Sequence, residues 1–339
     1  WEIGQGYLGC RHKDGSVNAG MFRGNATLDQ LKMIEIKLSQ GAKPGHGGIL
    51  PGAKVTPEIA EARGVEVGED CVSPASHSAF STPVELLEFI DQLRELSGGK
   101  PVGFKLAIGH PWEWFAIVKA MLETNRKPDF IVVDGGEGGT GAAPLEFINR
   151  LGMPMTEALL LVHNTLVGTS LREHIAIGAA GKITSAFNIA RTLSLGADWC
   201  NSARGYMFSL GCIQALSCHT GRCPSGVATQ DPRRGNKLDV ELKSKRVFNF
   251  HKTTLDALQN LLEASGLRHP SELGPEHIVR RVSKTEVHSY LDLFKFLEPG
   301  ALLEGETGMT VFDKYWPKAT SESFDPPEFI LKLRETKLR

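Results

Sequence analysis

Long apolar runs are missing from this chain. No stretch of about 18 consecutive apolar residues occurs in its 339 residues, which argues against a transmembrane helix. No secretory signal pattern is visible either. Charge of a single sign is also missing: 38 Lys and Arg stand against 39 Asp and Glu, interspersed, for a net charge of −1. That excludes a basic face for nucleic acid and a polybasic membrane patch. Cysteine is scarce. Six residues in a chain of this length, half of them within Cys212–Cys223, do not make a disulfide framework. A reducing, cytoplasmic setting is the expectation. Internal repeats and low-complexity segments are absent as well.

The three clustered cysteines lie in Gly211–Pro232, GCIQALSCHTGRCPSGVATQDP, in the pattern C-x5-C-x4-C. Ile213–Ser217 (IQALS) favours a helix ending near Cys212, and His219–Arg222 reads as a turn that folds Cys218 and Cys223 back. Three soft thiolates on one loop suit an iron–sulfur cluster, or zinc if His219 joined them. Zinc is the weaker option, because structural zinc sites pair C-x2-4-C knuckles and none is present. The plain alternative is three buried, inert thiols. Cys10 and Cys200 read as packing residues.

Strands and helices alternate along the chain. Lys32–Leu38 (KMIEIKL) alternates apolar and polar residues as a strand does. It runs into Ser39–Gly52, whose glycines and prolines forbid a regular element. Thr56 and Pro57 open a helix carrying Arg63. His77 sits in a polar loop, and such a histidine is more often structural than catalytic. Ser81 or Thr82 caps a helix over Pro83–Leu96. Pro101–Ile108 is a strand with Lys105 inside it, and a lysine in an apolar strand needs an anionic partner if it points inward. A helix over Trp112–Leu122 precedes Asp129–Asp134, an apolar run typical of a parallel strand buried on both faces. The following Gly135–Pro144 lacks the spacing of a dinucleotide fingerprint. A tight turn that lets backbone approach a planar ligand fits it better. Glu157–Arg172 reads as helix, Ile175–Gly181 as strand, Ile183–Leu195 as helix and Ala197–Arg204 as strand. Leu238–Leu262 and Pro270–Arg281 read as further helices. Residues 1–30 look irregular apart from a short helix closing near Leu28–Leu31.

Such βα alternation indicates a parallel sheet. About five strands are countable, so a closed eight-strand (β/α)8 TIM barrel would need others upstream of Trp1, and the chain opens as if in mid-fold. Residues 1–235 are taken as the barrel portion, including the cysteine loop 206–232. Residues 236–339 are taken as C-terminal helices and a tail packing on it.

Three separated motifs, KLSQGAKPG, GGTGAAP and C-x5-C-x4-C-P-x-G-V-A-T-Q, resemble the glutamate synthase family and occur in its order over about residues 32–285. The resemblance implies an α/β barrel of FMN-dependent oxidoreductase type. It implies FMN held by Gln40, Lys105, Gly138, Gly139, Thr140, Gly181, Lys182, Ala203 and Arg204, with Lys105 at the flavin N1 edge. It implies a [3Fe–4S] cluster on Cys212, Cys218 and Cys223, and 2-oxoglutarate held by Lys43 and Arg63. Electrons from a donor such as ferredoxin or a reductase subunit would reach FMN through the cluster, and a hydride would pass to the imine of 2-oxoglutarate and ammonia, giving glutamate. No glutaminase module opens the chain, so ammonia would come free or from a partner. The chain departs from the family at Ile49, where a substrate-binding Gln stands, and at His46, where Glu is usual. An apolar Ile49 cannot hydrogen-bond a keto acid. Two other readings follow: an FMN/Fe–S enzyme for another substrate, such as an N-methylated glutamate, or a non-catalytic electron-transfer subunit.

Overall fold

The computed structural model describes residues 1–139, 143–144, 146–305 and 307–337. Six parallel strands form one sheet: β1 (Glu2–Ile3), β2 (Ile34–Lys37), then, after the separate two-residue hairpin of β3 (Ile49–Leu50) and β4 (Cys71–Val72), β5 (Val102–Leu106), β6 (Phe130–Asp134), β7 (Ala176–Ala180) and β8 (Trp199–Asn201). Within the sheet each strand neighbours the next in chain order, β1-β2-β5-β6-β7-β8. That is the order of a (β/α)8 barrel and not of a doubly wound sheet, which reverses at a switch point. Closure to eight strands is not seen among the described residues.

The alternation of β2 decides which way the sheet faces. Ile34 and Ile36 are fully buried, and in register with Ile36 come Phe104, Ile131 and Ile177. This apolar face is covered by α3 (Pro83–Leu96), α4 (Pro111–Thr124) and α5 (Met155–Gly168), whose side chains join one continuous core. Glu35 and Lys37 point to the other face, where Glu2 pairs with Glu35 and Lys37 with Lys105 in register. Like charges directly opposite repel. Here each is offset by an opposite charge on the neighbouring strand, Lys37 to Glu2 at 3.2 Å and Lys105 to Glu35 at 3.5 Å.

Helix starts follow their capping chemistry. Thr56 caps α2 (Pro57–Arg63), and Thr82 with Glu85 makes a full capping box for α3. Ahead of these, α1 occupies Ala19–Ala26, earlier than the Leu28–Leu31 expectation, because Asn18 accepts from the Met21 N–H and starts it. After β7 come α6 (Ala186–Ser194), α7 (Arg204–Leu210), the single turn α8 (Pro232–Gly235) and α9 (Val240–Ala264). The Pro270–Arg281 helix expectation fails: two 3-10 turns and the strand Val279–Arg281 stand there, since Pro275 restarts the chain. Leu302 and Phe312 of the C-terminal segment enter the main core, with the Phe312 ring 5.5 Å from Phe115. No helix is long and apolar enough to cross a membrane among the described residues.

Candidate functional site

The carboxyl ends of the strands open on a cavity of about 270 Å³, lined among others by Lys37, Lys105, Asp134, Ala180 and Asn201, each at or near the end of its strand. Seven residues singled out for a cofactor meet there: Gln40, Lys105, Gly139, Gly181, Lys182, Ala203 and Arg204. Gly138 is not on the wall. It packs beneath the turn, where a Cβ would overlap the Asp134 carboxylate. Thr140 lies outside the described residues.

The turns at this edge are built for close approach. Gly41 meets Gly135 so tightly that neither loop has room for a Cβ at Gly41, and the Gly41 N–H donates to Asp134 at 3.0 Å. Gly139 has φ +91 and abuts Ala42. After β7, Gly181 (φ +151) and Lys182 (φ +50) leave the ordinary regions consecutively, and a non-glycine there marks a constrained turn. Arg204, at the start of α7, donates to the Gly139 carbonyl at 3.2 Å and ties the end of β8 to the Gly135–Gly139 turn.

Lys105 is mostly buried and pairs with Glu2 and Glu35. Burial alone would pull its ammonium down, but the two carboxylates outweigh that and hold it above its ordinary value. Burial also pushes the Glu35 carboxyl up to about 7 against the pull of Lys105, and raises Asp134. The site therefore keeps a fixed cation on its floor. Reading the sequence alone missed Lys37, Glu2 and Asp134. The i, i+2 spacing of Glu35 and Lys37 was the available signal, and it was indistinguishable from a solvent face.

Lys43 and Arg63 line a second cavity, also of about 270 Å³, which shares Lys37 and Gln40 with the first. Burial, and then the neighbouring Lys37, lower the Lys43 ammonium below its usual value. Ile49 is 57% exposed and off this wall. His46 turns its ring edge-on to Phe147. His77 is structural: Nε2 donates to the Lys37 carbonyl at 2.9 Å, Nδ1 meets the Tyr7 hydroxyl at 3.0 Å, and burial lowers its pKa.

Cys212, Cys218 and Cys223 all line the first cavity as free thiols. Ile213–Ser217 is not helical: α7 stops at Leu210, Gly211 caps it in the left-handed region, Gln214 and Leu216 are left-handed too, and a 3-10 turn over Cys218–Thr220 follows. Burial pushes the Cys223 thiol up, but hydrogen bonds from Ser225 and from backbone N–H groups of Ala228, Ser225 and Val227 outweigh it and bring it down to about 7. Among the described residues no three His, Cys, Asp or Glu side chains are gathered closely enough to hold a metal ion. For a cluster, the donor chemistry fits: three free thiols line one cavity, and such a centre takes one thiolate on each of several irons rather than three on a single ion. For FMN, the glycine cradle and the buried cation do fit.

Fold and site together define a parallel α/β protein with a cationic ligand cleft at the carboxyl edge of its sheet. Residues 7–268 match the conserved region in glutamate synthase, and the chain belongs to the glutamate synthase family. It is 44% identical over 280 residues to the glutamate synthase large subunit-like protein YerD of Bacillus subtilis, covering 83% of this chain and 53% of that one. It is 38% identical to the archaeal glutamate synthase (NADPH) of Methanocaldococcus jannaschii, over 69% of this chain and 45% of that one. The chain thus spans about half the length of these curated relatives. Among solved structures, a flavocytochrome b2 mutant aligns at 12% identity and a TM-score of 0.45, over 89% of this chain and 59% of that one, which carries no argument about the fold.

Proposed function

We propose that the chain forms the FMN-binding part of a glutamate synthase-like oxidoreductase that reduces the imine of 2-oxoglutarate and ammonia to glutamate. The observation that carries this reading is the convergence of seven candidate cofactor residues on one cavity that shares Lys37 and Gln40 with the cavity of Lys43 and Arg63. Relatives named glutamate synthase support it. So does family membership over residues 7–268.

Bound FMN would supply the hydride-transfer chemistry. The protein's part is orientation and charge. Lys105, held positive by Glu2 and Glu35, would face the flavin edge where negative charge gathers. The Gly181–Lys182 turn and Arg204 would hold the phosphate. Lys43 and Arg63 would take the carboxylates of the keto acid, and each charged hydrogen bond contributes about 1.5–3 kcal/mol. Cys212, Cys218 and Cys223, all on the wall of the same cavity, are the proposed ligands of a [3Fe–4S] centre. An electron donor follows as a partner, and a ferredoxin-dependent glutamate synthase from Antithamnion sp. is 35% identical over 73% of this chain. Ammonia would be free or delivered by a further partner. Closure of the barrel to eight strands, and the division at residue 235, belong to the same proposal.

Ile49 favours one second reading, in which the acceptor is a different keto or amino acid, because an apolar side chain stands at the family's Gln position. The test is steady-state kinetics of Lys43→Ala and Arg63→Ala. Each is expected to raise KM for 2-oxoglutarate by roughly 10- to 100-fold, the equivalent of one charged hydrogen bond. An unchanged KM in both variants would point to the second reading.

A further inference from the structure

Beside the Lys43–Arg63 cavity lies a larger one of about 580 Å³ that the function proposed above does not use. The two share Leu38, Ser39, Gly45 and Ala75 on their walls, so they adjoin. The larger chamber is mostly apolar, with Leu106, Ile108 and Ile117 and the rings of Phe80, Trp114 and Phe324. Its polar groups are few. His77 is spent, because both ring nitrogens are bonded within the protein. The Ser39 hydroxyl is spent on the Ala107 backbone, and the Trp114 N–H on Thr165 at 2.9 Å.

The Ser81 hydroxyl is spent on Glu85 at 2.8 Å, and beside the Ser76 hydroxyl that leaves His110 and Glu113, the latter in the first turn of α4. Burial raises its carboxyl, and His110 is the one group whose charge and N–H oppose this. Among the described residues no lysine or arginine pairs with it, whereas Glu2 and Glu35 beside the neighbouring site each pair with a lysine. A half-buried carboxylate is costly when ionised without a cation, so it takes either a proton or a cationic partner. Aromatic rings around the same space favour a cation over a neutral guest.

We infer that this chamber is a binding site for a small primary alkylammonium ion, its nitrogen on the Glu113 carboxylate and its hydrocarbon part among Phe80, Leu106, Ile117 and Phe324. Ammonium alone would leave the apolar wall uncovered, and a neutral alcohol would leave the carboxylate unpaired. The chamber adjoins the Lys43–Arg63 cavity, and because a primary alkylamine condensed with 2-oxoglutarate, with loss of water, would on reduction give an N-alkylglutamate and not glutamate, the inference goes beyond the proposed reaction. Binding itself is independent of it.

The probe is n-butylammonium chloride, titrated into the full holoprotein while the tryptophan emission is followed, with ammonium chloride and 1-butanol as controls at matched ionic strength. Saturable binding of butylammonium at least 10-fold tighter than of either control is expected, weakened at least 10-fold in Glu113→Gln. Equal responses to butylammonium and 1-butanol, or no saturation, would overturn the inference on the native protein, whatever the variant does. Equal binding of ammonium would overturn the alkyl part. If butylammonium binds but 2-oxoglutarate kinetics are untouched by Lys43→Ala and Arg63→Ala, the chamber stands and the proposed reaction falls.

Discussion

A charged side chain inside a strand must find its counter-charge on the next strand, and at the residue scale that requirement made Lys105 legible. Glu2 and Glu35 supply it. Lys43 and Arg63 were named through the family resemblance, and they line one cavity. Lys37 was not legible, because half of an alternating strand looks the same whether it faces water or a ligand. His163 gives a residue-scale prediction. Burial, then the nearby Arg172, lower its imidazole to about 4, against an ordinary value near 6.5. A histidine with a lowered folded pKa contributes stability that is complete above about 6.5 and lost as pH falls towards 4. His163→Leu removes the group, so the loss of unfolding free energy between pH 7 and pH 4.5, measured by urea denaturation, should shrink by about 2–3 kcal/mol. An unchanged pH dependence would mean that the ring is solvated in the folded protein.

At the element scale, period and capping placed most of the helices and strands that frame the site. The failures have local causes. Ile213–Ser217 has helix-forming composition, yet Gly211 ends α7 and two left-handed residues follow, turning the cysteines toward the cavity. β1 has only two residues, too few for any periodicity to register. The Gly turns can be tested as elements. Gly139 lines the cavity proposed for FMN, and Gly139→Ala places a Cβ against the buried Ala42 behind it, whereas Gly68→Ala (φ +84) meets nothing within 4 Å. Both carry the φ penalty, roughly 1 kcal/mol. Gly139→Ala should lose most of its bound flavin by absorbance, and Gly68→Ala should keep it. Equal retention would remove Gly139 from the cofactor wall.

For the whole molecule, one arrangement underlies the proposed function. The helix-covered face of the sheet carries the stability, while the opposite face and its carboxyl edge collect charges, tight turns and three thiols. Strand order was legible from βα alternation. The left-handed turns at Gln214 and Leu216 that lead into the cysteine loop were not, since composition there favours helix. Nor was the amine-type chamber, whose walls come from five distant segments. The most direct measurement is on anaerobically purified protein: a visible spectrum with an iron and sulfide assay, then 2-oxoglutarate plus ammonium added to the dithionite-reduced sample. Stoichiometric FMN, iron and sulfide in the proportion of a [3Fe–4S] centre, and reoxidation only when both substrates are present, are the predicted result. Protein that holds no flavin, or holds flavin that stays reduced with both substrates present, would contradict the account.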